Sequence, residues 1–419
     1  MSHQPTDLNL RPGLRGDLPL EDPERIRRLN ALYHEVRELL GTAERDDEQQ
    51  RYGDAAAAPE DELCCAVEYD RSMLEHIPSR VLEIDYGCGD PTGFAEEGMT
   101  VLDLGSGSGK HAFMMAKKVG AEGRVIGIDK TPEMLSLSRG AVEEVAAALG
   151  HAHPTVAFRR GHIENLRADL DLLSSWLSEN QVEDYAGLER LEAALSDAPM
   201  VADDSVDLVV SNCVLNLVKD GRKRRLLDEL FRVLKKGGSV AISDIVADRD
   251  VPVEMKDDAH LWTGCVSGAF RRDHFLDAFA EAGFHGVTEV ASRFWKRVGG
   301  INFFSVTVRA WKGKHGPCYE TLRSAMYRGP FSKVIDDDHH VFERGRFAPV
   351  CEKTAELLSR APYSDHFHVT PALEDPGKKL PFDCSPHASG GVRELSADQR
   401  QRLDGLIDDG ACCEGEGCC

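Results

Sequence analysis

Val101-Leu102-Asp103-Leu104 runs directly into Gly105-Ser106-Gly107-Ser108-Gly109, and the reading of this stretch decides the fold. A short apolar run meets a loop in which glycine and serine alternate. Beyond it, Ala112, Phe113, Met115, Ala116 and Val119 recur at helical spacing. The pattern predicts strand, tight turn, helix. Glycines there allow a sharp turn and close approach of backbone to a ligand. The loop reads G-x-G-x-G, one residue tighter than the dinucleotide fingerprint. Lys110 is followed by His111, which also removes the P-loop ending.

Working outward, Val125-Ile126-Gly127-Ile128 predicts a second strand ending at Asp129, 129 − 105 = 24 positions after the first glycine. An acid at that strand end can accept hydrogen bonds from both ribose hydroxyls of a nucleoside. Thr131 is read as an N-cap with Pro132 at the first helical position, and that helix runs to about Gly150. Val156-Phe158, Val206-Val210 and Val240-Ile242 predict three more strands, and a basic helix from about Gly221 to Lys236 precedes Gly237-Gly238. Such alternation predicts an α/β fold, a mainly parallel Rossmann-like sheet with helices on both faces.

The flanks are different. Residues 1–60 are expected to be a polar extension with one helix, marked by Ile26, Leu29, Leu32, Tyr33, Val36, Leu39 and Leu40. The main domain is expected over 61–285, interrupted at 167–199 by an acidic helical excursion. Phe303 to Val308 alternates like a strand and is assigned to a smaller α+β domain over 286–384. Residues 385–419 are read as a mobile, Cys-rich tail.

Composition narrows the partners. Fifty basic against 72 acidic residues among 419 give a net charge of −22, which opposes nucleic acid as a main partner. At 42% hydrophobic, the chain can bury a sizeable core. No apolar run reaches membrane-spanning length and Met1 to Asp22 lacks a secretory h-region, so a cytoplasmic location away from membranes is expected. With no coiled-coil or repeat signal, a monomer is expected. Asp336 to His340 is read as a charged hairpin turn rather than a metal site.

Twelve cysteines stand out: Cys64, Cys65, Cys88, Cys213, Cys265, Cys318, Cys351, Cys384, Cys412, Cys413, Cys418 and Cys419. Their spacing fits neither a zinc ribbon nor a C-x-x-C redox motif. Cys213 follows the fourth strand in Ser211-Asn212-Cys213. Cys265 closes Leu261-Trp262-Thr263-Gly264-Cys265, and Cys88 sits in Tyr86-Gly87-Cys88-Gly89. Either Cys213 or Cys265 alone would read as a small buried hydrophobe. Beside a cofactor loop, scattered thiols point to a soft centre held by thiolates. Cys318, Cys351 and Cys384 receive no chemistry.

The acid-ended strand, the G-x-G-x-G loop and Asp129 resemble the class I S-adenosylmethionine-dependent methyltransferases. The cofactor set read from this is Asp103, Gly105, Ser106, Gly107, Gly109 and Asp129. Ile163 in Gly161-His162-Ile163-Glu164-Asn165 is placed at the adenine edge, and Asn212 is added at the fourth strand end. More narrowly, that loop, Tyr86-Gly87-Cys88-Gly89, Ser211-Asn212-Cys213-Val214-Leu215-Asn216-Leu217 and the Leu261-Trp262…Cys265…Gly268-Ala269 segment are similar to the arsenite S-adenosylmethionine methyltransferases, in matching order over about residues 60–350.

That resemblance implies arsenite methylation in arsenic detoxification, with Cys213, Cys265 and Cys88 holding trivalent arsenic. It implies that Cys88 and an N-terminal cysteine form a disulfide as arsenic is reduced after methylation. Cys64 is favoured over Cys65 for that role. Arsenite or its thiol conjugate is then the small-molecule substrate, and thioredoxin or glutathione the thiol reductant. The sequence departs from the family in its doubled Cys64-Cys65, the short spacing to Cys88, the acidic insertion, and Gly264 where many members carry an acid. Two rival functions follow from the same residues. Methylation of an organic small molecule would leave Cys213 and Cys265 dispensable. A non-enzymatic, thiol-rich metalloid-sequestering protein would bind arsenite without turnover.

Overall fold

The structure is a computed structural model that describes residues 23–40, 51–54, 69–84, 87–180, 182, 184–256, 258, 261, 264–313, 315–336, 338–372 and 380–384. Cys64, Cys65, Tyr86, Trp262 and the four tail cysteines lie outside the described residues. The chain divides into two compact units, Met1–Lys312 and Gly313–Cys419.

The first unit is built on one sheet. Its strands are β1 Thr100–Leu104, β2 Arg124–Asp129, β3 Val156–Arg160, β4 Val206–Asn212, β5 Leu234–Ala247, β6 Phe270–Arg271, β7 His285–Val298 and β8 Ile301–Trp311. Their order is β3-β2-β1-β4-β5-β8-β7, with β6 paired to β5 off this path. The first five strands pair in parallel, for example Leu104 opposite Ile128 on one side and Ser211 on the other. β8 then runs antiparallel to both β5 and β7.

The helices are α1 Pro23–Leu40, α2 Lys110–Val119, α3 Pro132–Leu149, α4 Leu170–Glu179, α5 Tyr185–Asp197, α6 Asp220–Val233 and α7 Arg272–Glu281. Strand period explains the two cores. Val101 packs with α2 and α3 residues such as Phe113, Met115 and Leu135. Leu102 and Leu104 face the other way, toward Leu226, Leu230, Phe275 and Phe279 of α6 and α7. Both faces are covered, as the apolar runs required.

The N-terminal helix and the insertion form a third cluster. Leu29, Tyr33 and Val36 of α1 pack with Leu170, Leu173 and Leu177 of α4 and Leu188 and Leu191 of α5. Arg28 on α1 pairs with Glu192 on α5 at 3.0 Å. The insertion is thus helical, as expected, but it has a partner: it gives the isolated helix an apolar face to bury against.

Three local details differ from the sequence reading. Thr131 is the N-cap of α3 and Pro132 its first residue, as expected, but the Thr131 side chain makes no capping hydrogen bond; Asp129 Oδ1 accepts from the Thr131 amide at 2.8 Å. The basic helix stops at Val233, and Lys235 to Gly238 already belong to β5. The hairpin β7–β8 was expected in the second domain. It completes the first sheet because β8 pairs with β5 along nine residues, from Ser239↔Trp311 to Ala247↔Phe303. The division therefore falls at Lys312 rather than near 285.

The second unit contains β9 Arg323–Tyr327, β10 Lys333–Ile335, β11 Val341–Glu343, β12 Phe347–Val350, the helix α8 Glu352–Leu358 and β13 Phe367–Val369. β12, β9 and β13 form an antiparallel sheet in that order, and β10 and β11 form a hairpin. Tyr327, Phe342, Val350, Leu358 and Phe367 share its core. Asp336 Oδ1 accepts the amides of Asp338 and His340 at 3.0 and 2.8 Å, in the connection between β10 and β11 that the sequence suggested as a hairpin turn. Among the described residues, no helix is long and apolar enough to cross a membrane.

Candidate active site

The glycine loop leaves β1 at the carboxyl edge of the sheet. Gly105, Gly107 and Gly109 all have positive φ, at 65°, 51° and 95°. A Cβ on Gly105 would lie 2.4 Å from Val214, and one on Gly109 would lie 2.7 Å from Phe158. These two glycines are demanded by packing. A Cβ on Gly107 would meet nothing within 4 Å, so Gly107 faces open space. The loop is pinned from two sides. Ser106 N–H donates to Ile128 O at 2.9 Å, and Gly107 N–H donates to Asp129 Oδ2 at 2.9 Å. Ser108 Oγ lies 3.0 and 2.8 Å from Val81 O and Ile84 O, tying the loop to the segment before Cys88.

The residues at this edge fit a cationic nucleoside. Asp103 Oδ2 and Ser106 Oγ are buried and have no hydrogen-bond partner among the described residues. Burial, reinforced by the Asp129 charge, pushes the Asp103 carboxyl up to about 8. It stays protonated in the folded chain where the unfolded chain would ionise it. It therefore costs stability as pH climbs from 3.8 toward about 8. These unmatched oxygens are polar groups that a positively charged ligand would satisfy. Burial also raises the carboxyl of Asp129, whose oxygens already receive the Gly107 and Thr131 amides. Ile163 is 7% exposed and packs in the Leu102–Leu104 core.

Asn212, expected at the cofactor, has a structural task at the Cys88 loop. Its carboxamide clamps the Cys88 loop, with Oδ1 accepting from Cys88 N–H at 2.9 Å and Gly89 N–H at 3.1 Å, and Nδ2 donating to Gly89 O at 2.7 Å. His111 Nε2 lies 3.2 Å from Nδ2 and 3.1 Å from the Tyr69 hydroxyl. A Cβ on Gly87 would sit 2.5 Å from the Asn212 amide nitrogen, so the clamp needs that glycine.

Three of the expected thiols meet in one apolar cluster. Cys88 and Cys265 are buried with Leu217, Ile245, Val266 and Phe303, and the half-buried Cys213 packs against them. Cys88 and Cys213 are joined as a disulfide with their Cα atoms 5.9 Å apart. This departs from the implied pairing of Cys88 with Cys64, because β4 and the Asn212 clamp bring Cys88 against Cys213. Cys265 Sγ lies 3.2 Å from Cys213 O and takes no part in that disulfide.

The backbone holds both thiols under strain. Among the described residues only five non-glycine positions have positive φ, and two are Cys213 at 59° and Cys265 at 58°. Each such position costs on the order of 1–2 kcal/mol. Buried Asp244 holds the first, accepting the amides of Leu215, Asn216 and Ile245 at 2.9, 3.3 and 2.7 Å. Burial pushes its carboxyl up to about 7 despite those donors. The second is held by close backbone contact, since a Cβ on Gly268 would fall 1.9 Å from Asn216 O. Gly268→Ala is thus expected to displace the Cys265 segment. Cys265, 6% exposed in the intact chain, should then alkylate at least about tenfold faster by timed labelling.

The sequence reading missed several supports. Ser305 on β8 and Arg293 on β7 both donate to Cys88 O, the latter at 3.3 Å. Ser243 on β5 and Thr307 on β8 share a hydrogen bond of 2.8 Å beneath Gly89. No local signal marks them, because they become site residues only once the hairpin joins the sheet. Together the arrangement offers an apolar nest of sulfur atoms next to the glycine loop.

Comparisons with known proteins place the chain in a family. Residues 95–283 match a methyltransferase domain model, and residues 314–399 match a domain of unknown function. An arsenite methyltransferase of Aquipseudomonas alcaligenes is 32% identical over 75% of this chain and 87% of its own. The arsenite methyltransferase of Homo sapiens is 28% identical over 78% of each chain. The crystal structure of an arsenic(III) S-adenosylmethionine methyltransferase from Chlamydomonas reinhardtii aligns with a TM-score of 0.50 at 29% identity, covering 78% of this chain and all of that one.

Proposed function

The chain belongs to the arsenite methyltransferase family, and from that premise we propose that it methylates trivalent arsenic with S-adenosylmethionine at the Cys88, Cys213 and Cys265 thiols. The observation that carries this reading is the meeting of those three thiols in one apolar cluster beside the glycine loop. Thiolates select soft, thiophilic centres, and serine or carboxylate ligands do not.

Asp129 and the Gly105–Gly109 loop hold the nucleoside, and Asp103 and Ser106 offer unmatched polar atoms to its charged end. When bound, S-adenosylmethionine supplies an electrophilic methyl group to the lone pair that thiolate-held arsenic retains. This step needs no general base. The thiols fix the position of arsenic, and such positioning can lower a barrier by several kcal/mol.

Transfer leaves arsenic formally pentavalent. Two thiolates then return two electrons and close as a disulfide, restoring trivalent arsenic. The Cys88–Cys213 bond supports that pair as the electron source. A thiol reductant, a thioredoxin-like protein or glutathione, would reopen the disulfide by thiol exchange. Cys64 or Cys65 is proposed as the relay. The substrate is arsenite or its thiol conjugate, the acting form is a monomer, and nucleic acid plays no part.

The test is an assay of the purified chain with arsenite, a thiol reductant and the methyl donor. Methylated arsenic should appear, and turnover should stop without reductant. Methylation of organic acceptors at equal rates, indifferent to reductant, would overturn the proposal.

A further inference from the structure

Three cysteines without a role in the first unit's chemistry converge in the second unit. Cys318, Cys351 and Cys384 are spaced 351 − 318 = 33 and 384 − 351 = 33 residues apart, yet their sulfur atoms lie within 4.8 Å of one another. No disulfide joins them. The backbone builds this meeting. Phe382 N–H donates to Cys318 O at 2.9 Å and Glu320 N–H to Leu380 O at 2.8 Å, so the two segments pair antiparallel around Tyr319 and Pro381. Glu352 N–H donates to Tyr319 O at 2.8 Å and brings Cys351 alongside.

The surroundings are those of a built site. Cys351 is 1% exposed, and its sulfur accepts the Thr354 amide at 3.4 Å; Cys318 and Cys384 are half-buried. His340 Nε2 lies 3.1 Å from Cys384 O, and its Nδ1 lies 2.8 Å from Asp336 Oδ2. The imidazole thereby braces the Cys384 backbone from outside the sulfur cluster. Among the described residues no histidine or carboxylate joins the three sulfurs as a fourth donor. Structural zinc takes four donors. A trivalent soft centre is satisfied by three thiolates and leaves a neutral complex, whereas a divalent ion would leave a net negative charge half-buried.

We propose that Cys318, Cys351 and Cys384 form a second trivalent-arsenic site, separate in the chain from the thiols that hold arsenic for methylation. Arsenous acid binds there by exchange. Three As–O bonds break, three As–S bonds form, and each thiol proton leaves with a hydroxide as water. Arsenic stays trivalent, so no oxidant or reductant is consumed. The choice of arsenic among soft trivalent centres rests on the function proposed above.

The experiment uses the full-length chain, reduced with a phosphine and titrated with arsenite, then pulsed with iodoacetamide and read peptide by peptide by mass spectrometry. Cys318 and Cys384 should become protected together, at one arsenite concentration. Cys351→Ser should weaken that protection at least about tenfold, because one arm of a three-point grip is lost. Cys213→Ser and Cys265→Ser should leave it unchanged. Unprotected Cys318 and Cys384 alongside protected Cys213 and Cys265 would overturn the second site and leave the methylation site standing. A zinc ion that co-purifies on these thiols and resists arsenite would also overturn it. Loss of protection at every cysteine would remove arsenite as a ligand and sink both proposals.

Discussion

Cys213→Ser should lower arsenite methylation by at least about 100-fold, the scale expected when a reacting centre loses its fixed position. Serine matches cysteine in shape but is not a soft ligand, so arsenic would lose one arm of its grip. The same change removes the partner of Cys88 and with it the Cys88–Cys213 disulfide. Cys88 should then stay alkylatable after a turnover without reductant. A glycine at this position separates chemistry from folding. Cys213 sits at a φ of 59°, where glycine is relieved of a strain of about 1 kcal/mol. Under reducing conditions Cys213→Gly should therefore keep its melting temperature and still fail to methylate. An active Cys213→Gly would show that the thiol is packing material.

The second large effect belongs to the methyl donor. Asp129→Ala should weaken donor binding by roughly 100-fold in calorimetric titration, since two hydrogen bonds to a charged acceptor contribute about 3 kcal/mol. The loss comes by two routes. The carboxylate is no longer there to receive ribose hydroxyls, and Gly107 N–H and Thr131 N–H lose their acceptor. Arsenite binding to the reduced chain should be unchanged, because the thiols lie on other segments. Donor affinity within about twofold of the parent chain would remove Asp129 from the cofactor site.

These expectations rest on parts of the molecule that were unequally legible. β1, β2 and the loop between β1 and α2 could be read in the sequence because the signals are local: an apolar run, glycines at forced positive φ, an acid at a strand end. The placement of β7 and β8 was not legible. A hairpin's own residues specify its turn and alternation, and its partner strand is chosen by long-range pairing, here with β5. The same limit hid Ser305 and Arg293 behind Cys88. The pairing of α1 with the insertion helices was likewise invisible, although each apolar face was plain. The bond between Asn212 and the Cys88 loop was not legible either, because a side chain at a strand end can turn to a cofactor or to an adjacent loop. Cys318, Cys351 and Cys384 looked inert because equal spacings of 33 residues carry no ligand signature; the pairing of 318–320 with 380–382 and the bond from Glu352 N–H to Tyr319 O bring the sulfurs together.

A single turnover tests the core of this chemistry most directly. The reduced Cys351→Ser chain, in which the second arsenic site is weakened, is loaded with one equivalent of arsenite, mixed with methyl-labelled S-adenosylmethionine and quenched, and the arsenic is separated by species. The expected result is label on arsenic approaching one equivalent, formed without added reductant, with Cys88 and Cys213 recovered as a disulfide. Arsenite recovered unmethylated from a chain that has bound the donor, or label transferred to a cysteine sulfur instead, would contradict it.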